Sequence, residues 1–155
     1  MGTISEVLAL EGTQEADVFS GPAIPSQIER TFGGQVAAQA LAAAQRTVDN
    51  KQEHSLHGYF VGPGDTKKPL ELQVERLRDG RSFASRQVRV IQDGRLVFIM
   101  LASFHRDGDT GPEHQDVAPQ VLSPDEAARR GGGAPYSTRI ILKEWTDWDI
   151  RLVPD

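Results

Sequence analysis

Two glycines, Gly33 and Gly34, stand directly before Gln35 and a run of small helix-favouring residues, "GGQVAAQALAAAQ". The first N–H groups of a helix lack intrahelical acceptors and carry the positive end of its dipole, so this spacing suits an anion or a developing oxyanion. Gly34 and Gln35 would then be the donors of a catalytic oxyanion site. Gly33 and Phe32 would flank whatever binds there. The same glycines equally serve a tight loop-to-helix turn. His54 and His57 in "HSLH" raise two further chemistries, a metal pair and a general base. Three positions apart on a strand, they point to opposite faces and do not converge on one ion without a bulge, so no metal site is expected. Imidazole as a side-chain type titrates near working pH, which suits His54 as a base; the other reading is a hydrogen-bonded structural histidine beside the helix start. Asp65, after "GPG", is either a base or a turn residue bonding its own backbone. Lys67, Lys68, Arg76, Arg78, Arg81, Arg86 and Arg89 make the middle of an acidic chain locally basic, as an anion-binding rim or as the solvated face of a sheet. "DGDTGPEHQD" has calcium-like spacing at Asp107 and Asp109 without the rest of a twelve-residue loop, and reads as linker.

The elements that must position these groups follow from pattern. With 155 residues, 38% apolar and 25% charged, the chain has the size and composition of one soluble globular domain. Its net charge of −5 does not favour nucleic acid or an anionic membrane. The absence of cysteine excludes disulfides, thiolate metal sites and a cysteine nucleophile, and fits a reducing cytoplasm. No basic-then-apolar leader and no apolar run near a membrane span occurs, and Glu6 replaces the Ser or Thr of a myristoylation signal after Met1-Gly2. The chain is expected to be soluble and untargeted.

A short helix or coil and a strand near Asp17 to Gly21 open the chain. Gln35 to Val48, free of proline and glycine, predicts a long helix with Thr31 or the glycines at its start. His54 to Val61 ends at a Gly-Pro-Gly-Asp turn as a strand does. Leu70 to Arg78 alternates with period two, and Asp79-Gly80 and Asp93-Gly94 punctuate a meander of Leu70 to Arg78, Phe83 to Ile91 and Leu96 to His105. "LVFIMLASF" scarcely alternates, which predicts cover on both faces. The domain is expected over 1–106, a linker over 107–135 with a helical turn near Ser123 to Arg130, and a final segment over 136–155.

One long helix beside an antiparallel sheet is an α+β arrangement. Six of the eight residues from Ala37 to Ala44 are alanine. So thin a helix lets a curved sheet wrap closely around it, which predicts the hotdog fold. Four stretches then match a known pattern in order and spacing: "RTFGGQVAAQAL", "HSLHGYFVGPGDTKKPL", "VERLRDGRSFASRQV" and "IQDGRLVFIMLASFH". With "EHQ" at Glu113 to Gln115, they resemble the first repeat of the acyl-CoA thioesterase II family, whose members carry two hotdog repeats.

That resemblance implies hydrolysis of fatty acyl-CoA to free fatty acid and CoA, with no cofactor other than the CoA of the substrate itself. It also implies that the catalytic Asp, Ser or Thr and Gln belong to a second repeat, to which "WDIRLVP" is similar only as an approach. The candidates here are therefore Gly34, Gln35, His54 and Asp65 for catalysis and Phe32, Gly33, Tyr59, Lys67 and Arg81 for binding acyl-CoA, with Lys67 and Arg81 reaching its phosphates. The alternatives are a non-catalytic acyl-CoA-binding or structural half and an acyl-thioester hydratase, the latter lacking an Asp-x-x-x-x-His pair at the helix. A single hotdog leaves a sheet edge and an apolar face open, so a homo-oligomer, or pairing with a separate second-half chain, is expected.

Overall fold

In the computed structural model, which describes residues 3–108, 110–130, 136–144 and 146–151, the alternating segments form one six-stranded antiparallel sheet. Two compact units result, residues 1–109 and 110–155. The first contains α1 (Ile4–Val7), β1 (Glu11–Gly12), β2 (Val18–Gly21), α2 (Gly33–Gln45), β3 (Gln52–Phe60), β4 (Leu70–Asp79), β5 (Phe83–Gln92) and β6 (Arg95–His105). The second contains α3 (Pro124–Arg130) and α4 (Tyr136–Glu144), followed by a short 3-10 turn, Thr146–Trp148. The Gly-rich stretch 131–135, the last four residues and the Met1-Gly2 pair lie outside the described residues.

Strand order is β1-β2-β4-β5-β6-β3. The β4-β5-β6 meander is local, and Asp93 and Gly94 both take positive φ, +49° and +73°, as a two-residue hairpin of this hand requires. β3 instead crosses over to pair with β6, from Gln52↔His105 to Phe60↔Phe98, and forms one edge of the sheet. The two-residue strand β1 and its pairing with β2 carry no pattern long enough to be seen in the sequence.

The helix begins at Gly33, earlier than its glycine-free run, and its N-cap is Phe32, which makes no side-chain capping bond. Its buried stripe, Val36, Ala40, Ala43 and Ala44, meets Leu70, Leu72, Val88, Val90, Phe98, Met100 and Phe104 from the sheet. Ala40, Ala43 and Ala44 are wholly buried, so here the alanines do hold the helix axis close to the strands. β6 is covered on one face only. Phe98, Met100, Ala102 and Phe104 are buried, whereas Leu101 on the opposite face is 50% exposed. Its run of apolar residues had suggested cover on both faces; a register shift at Val90/Ile91 that also buries Val97 explains part of the lost alternation.

The C-terminal end of α2 is anchored by an inward-facing polar residue of β5. At the C-terminal end the fully buried Arg86 donates through Nη2 to the Thr47 carbonyl (2.8 Å) and through Nε to Thr47 Oγ1 (2.7 Å). It also donates to the Arg78 and Ser85 carbonyls and pairs with the Asp79 carboxylate. A buried guanidinium is tolerable only when its donors are used in this way. In mid-helix the buried Gln39 donates to the Val7 carbonyl at 2.8 Å and stitches the N-terminal segment to the helix.

Candidate functional site

The N-terminal end of α2 is the one place where several predicted groups meet. The first intrahelical bond is Val36 N to Phe32 O, so the Gly33, Gly34 and Gln35 amides have no acceptor within the helix. A Cβ on Gly33 would sit 2.9 Å from Cζ of Phe60, and one on Gly34 would strike the ring of Phe32. The glycines thus let two aromatic rings lie against the helix end. Beside it lies a cavity of about 360 Å³ with apolar walls from Val36, Phe60, Val61 and Val97 and polar groups from Arg30 and Thr31. Gln35 Oε1 and Thr31 Oγ1 are buried and find no hydrogen-bond partner among the described residues.

Asp65 directly follows Gly64, which lines that cavity. Its Oδ1 accepts the Lys67 amide at 2.9 Å, the self-bonded turn that was one of its two readings. It pairs with Arg30 as an isolated bridge, and both border a second cavity of about 630 Å³ shared with Lys67.

His54 is elsewhere. Its Nε2 lies 2.9 Å from Ser103 Oγ, and Ser103 alternates with the core residues Ala102 and Phe104, so the imidazole is on the sheet face opposite α2. It packs edge-on to Phe83 and His105. His54 is hydrogen-bonded, as its structural reading has it, but it is not beside the helix start. The register shifts between Glu53 and Ser55, a bulge that turns His54 and His57 to the same face. Even so, no group of three potential ligands capable of holding a metal occurs among the described residues. Tyr59 shares that outer face, packed on His57 at 4.9 Å between ring centroids.

Arg81 belongs to the β4–β5 turn, at the end of the sheet where Arg86 meets the helix C-terminus, so it is far from Gly34 and Lys67. Among the other basic residues, Arg86 points into the core and Arg76 makes a two-pronged contact with Asp17 at 2.7 and 2.9 Å. Lys68 pairs with Asp93, whose hydrogen bond and charge raise the lysine above its ordinary pKa. Arg76 and Lys68 are committed to local carboxylates, which favours the solvated-sheet reading for those two, whereas the buried Arg86 belongs neither to an anion-binding rim nor to a solvated face. Gln92 went unnoticed in the sequence. It sits at an inward β5 position beside Asp93-Gly94, and that polar interruption of the Val88, Val90 alternation was the available signal.

The sheet curled on a single alanine-rich helix defines a hotdog domain. Structurally it is similar to an acyl-CoA thioesterase II, TesB2, from Mycobacterium marinum: 44% identity, TM-score 0.68, covering 77% of this chain and 44% of that one. It is also similar to a hot dog fold protein of unknown function from Alicyclobacillus acidocaldarius, at 25% identity and TM-score 0.69, covering 79% and 47% of the two chains. The family model described as "Acyl-CoA thioesterase N-terminal domain" matches residues 22–105, and the chain belongs to that family. Human acyl-coenzyme A thioesterase 8 is 43% identical over 124 residues, which is 79% of this chain and 39% of the relative. The chain therefore spans about two fifths of the length of that curated relative.

Proposed function

We propose that this chain supplies one hotdog half of an acyl-CoA thioesterase. The observation that carries the reading is the family match over 22–105, which includes the whole N-terminal end of α2. In the reaction, a water oxygen adds to the thioester carbonyl carbon. The oxyanion receives the Gly34 and Gln35 N–H groups, and the C–S bond then breaks to give a fatty acid and the CoA thiol. The apolar cavity beside Phe60 accepts the acyl chain, and no cofactor takes part. Among the described residues no carboxylate or imidazole lines that cavity, which supports a second half as the source of the base that takes the water proton. The β3 edge is the pairing surface, whether with another copy or with a partner chain. The setting is fatty acyl metabolism in the cytoplasm; among the described residues no helix is long and apolar enough to cross a membrane.

A second reading, an acyl-CoA-binding or structural half inactive alone, is favoured by the placement of His54 on the far face. Release of CoA thiol from medium-chain acyl-CoA separates the two, with a clean background because the protein has no cysteine. Hydrolysis that falls at least tenfold, about 1.4 kcal/mol, in Gly34→Val supports the oxyanion role. No hydrolysis by the folded chain overturns catalysis by this half alone, and calorimetric binding of a non-hydrolysable acyl-CoA analogue then supports the second reading.

A further inference from the structure

We propose that Gln92 is a positioning residue for the helix-end site, acting through the 62–69 turn, an inference that rests on the reading of that site as the acyl-thioester site. Gln92 is 7% exposed, and its amide is fully engaged. Oε1 accepts the Asp65 amide at 2.7 Å. Nε2 donates to the Asp65 and Lys68 carbonyls, each at 3.0 Å, with the Pro69 carbonyl at 3.4 Å. One side chain thus replaces the strand partner that this turn lacks.

The turn is tied in its own right to the approach to α2. The Gly64 carbonyl accepts the Thr31 amide at 2.9 Å, and Arg30 bridges Asp65. Gly64 permits that contact, since a Cβ there would lie 2.9 Å from Thr31 Oγ1. Thr31 directly precedes Phe32, the N-cap. A continuous chain of short contacts therefore runs from the end of β5 through Gln92, Asp65, Gly64 and Thr31 to the first amides of the helix. Through Thr31 this tether reaches the residue that starts the helix, and so it bears on where those amides point.

The test uses the full chain with Gln92→Met and Gln92→Glu. Met fills the volume without an amide. The Glu carboxylate can accept from the Asp65 amide but faces carbonyls where Gln92 donated, and protonation restores one donor. The expected result is that amide resonances of Asp65, Thr31, Gly34 and Gln35 move in both variants at neutral pH. In Gln92→Glu they move back toward the wild-type positions as pH falls through the carboxyl pKa, a reversal that wild type and Gln92→Met do not show. With acyl-CoA turnover, kcat drops about tenfold to a hundredfold while KM stays within about threefold, as a misplaced donor predicts. Unmoved Thr31, Gly34 and Gln35 resonances in both variants overturn the proposal. Should neither variant fold, hydrogen exchange on wild type decides: equal opening of Asp65 and Thr31 supports the tether, and exchange of Thr31 more than tenfold faster overturns it. Expected resonance shifts with no hydrolysis in wild type would uphold the positioning and reject catalysis by this half.

Discussion

Asp17 shows how one residue serves conformation and charge together. It takes a left-handed φ of +59°, which Asp tolerates better than most residues, and from there grips Arg76 with both carboxylate oxygens. The hydrogen bond from Arg76 holds its carboxyl below the ordinary carboxylate pKa. A folded-state pKa depressed below the unfolded one contributes stability that is present above about pH 4 and is lost as pH falls through the lower, folded value. Asp17→Asn keeps the left-handed preference and removes the charge. Its expected cost at pH 7 is under about 1 kcal/mol, because the pair is partly exposed, and the cost shrinks in 1 M salt. Urea titrations at pH 7 and pH 3 check this; equal pH dependence in variant and wild type would exclude the ion pair as its source. Arg86 differs in kind: four of its acceptors are backbone or buried groups of β4, β5 and Thr47, and it reads in sequence only as one more cation in a basic strand.

At the level of elements, what was legible is what is local. The Asp79-Gly80 and Asp93-Gly94 punctuation fixes the meander because a hairpin needs only its own turn and flanking alternation. The alanine run marks α2 within a few residues at each end. Neither the crossing of β3 to β6 nor the bulge at His54 is written in any short window, since both depend on which strand lies alongside, and so the face of His54 was not deducible. The same holds for Gln92, whose partners lie 23 to 27 residues away. β3 approaches β6 closely because of Gly58, where a Cβ would lie 2.5 Å from Phe98 Cζ and 3.0 Å from the Ile99 carbonyl. Gly58→Ala must push against backbone as well as ring, and should cost about 1–3 kcal/mol in chemical denaturation. A neutral result would show that β3 slides outward at no expense.

For the molecule as a whole, the edge is the exposed quantity. Nearly all of β3 faces solvent, with Leu56 49% and Tyr59 66% exposed, which is unusual for a nine-residue strand left without a second neighbour. The proposed pairing predicts a concentration-dependent dimer in sedimentation velocity that Leu56→Lys converts to monomer; a wild-type monomer at all concentrations would exclude self-pairing. A different kind of constraint follows from the two anchors on β5. Arg86 and Gln92 lie six residues apart on a strand, roughly 20 Å at about 3.3 Å per residue. The 13 residues of α2 cover roughly the same length at 1.5 Å each. Strand and helix are therefore two sides of a rectangle that must stay equal. Adding two residues between Arg86 and Gln92 lengthens one side by about 7 Å, and only about four or five added to the helix restore the match. Insertions and deletions should therefore be confined to the segments outside this frame, and any that enter it should come as compensating pairs in the ratio of the two rises.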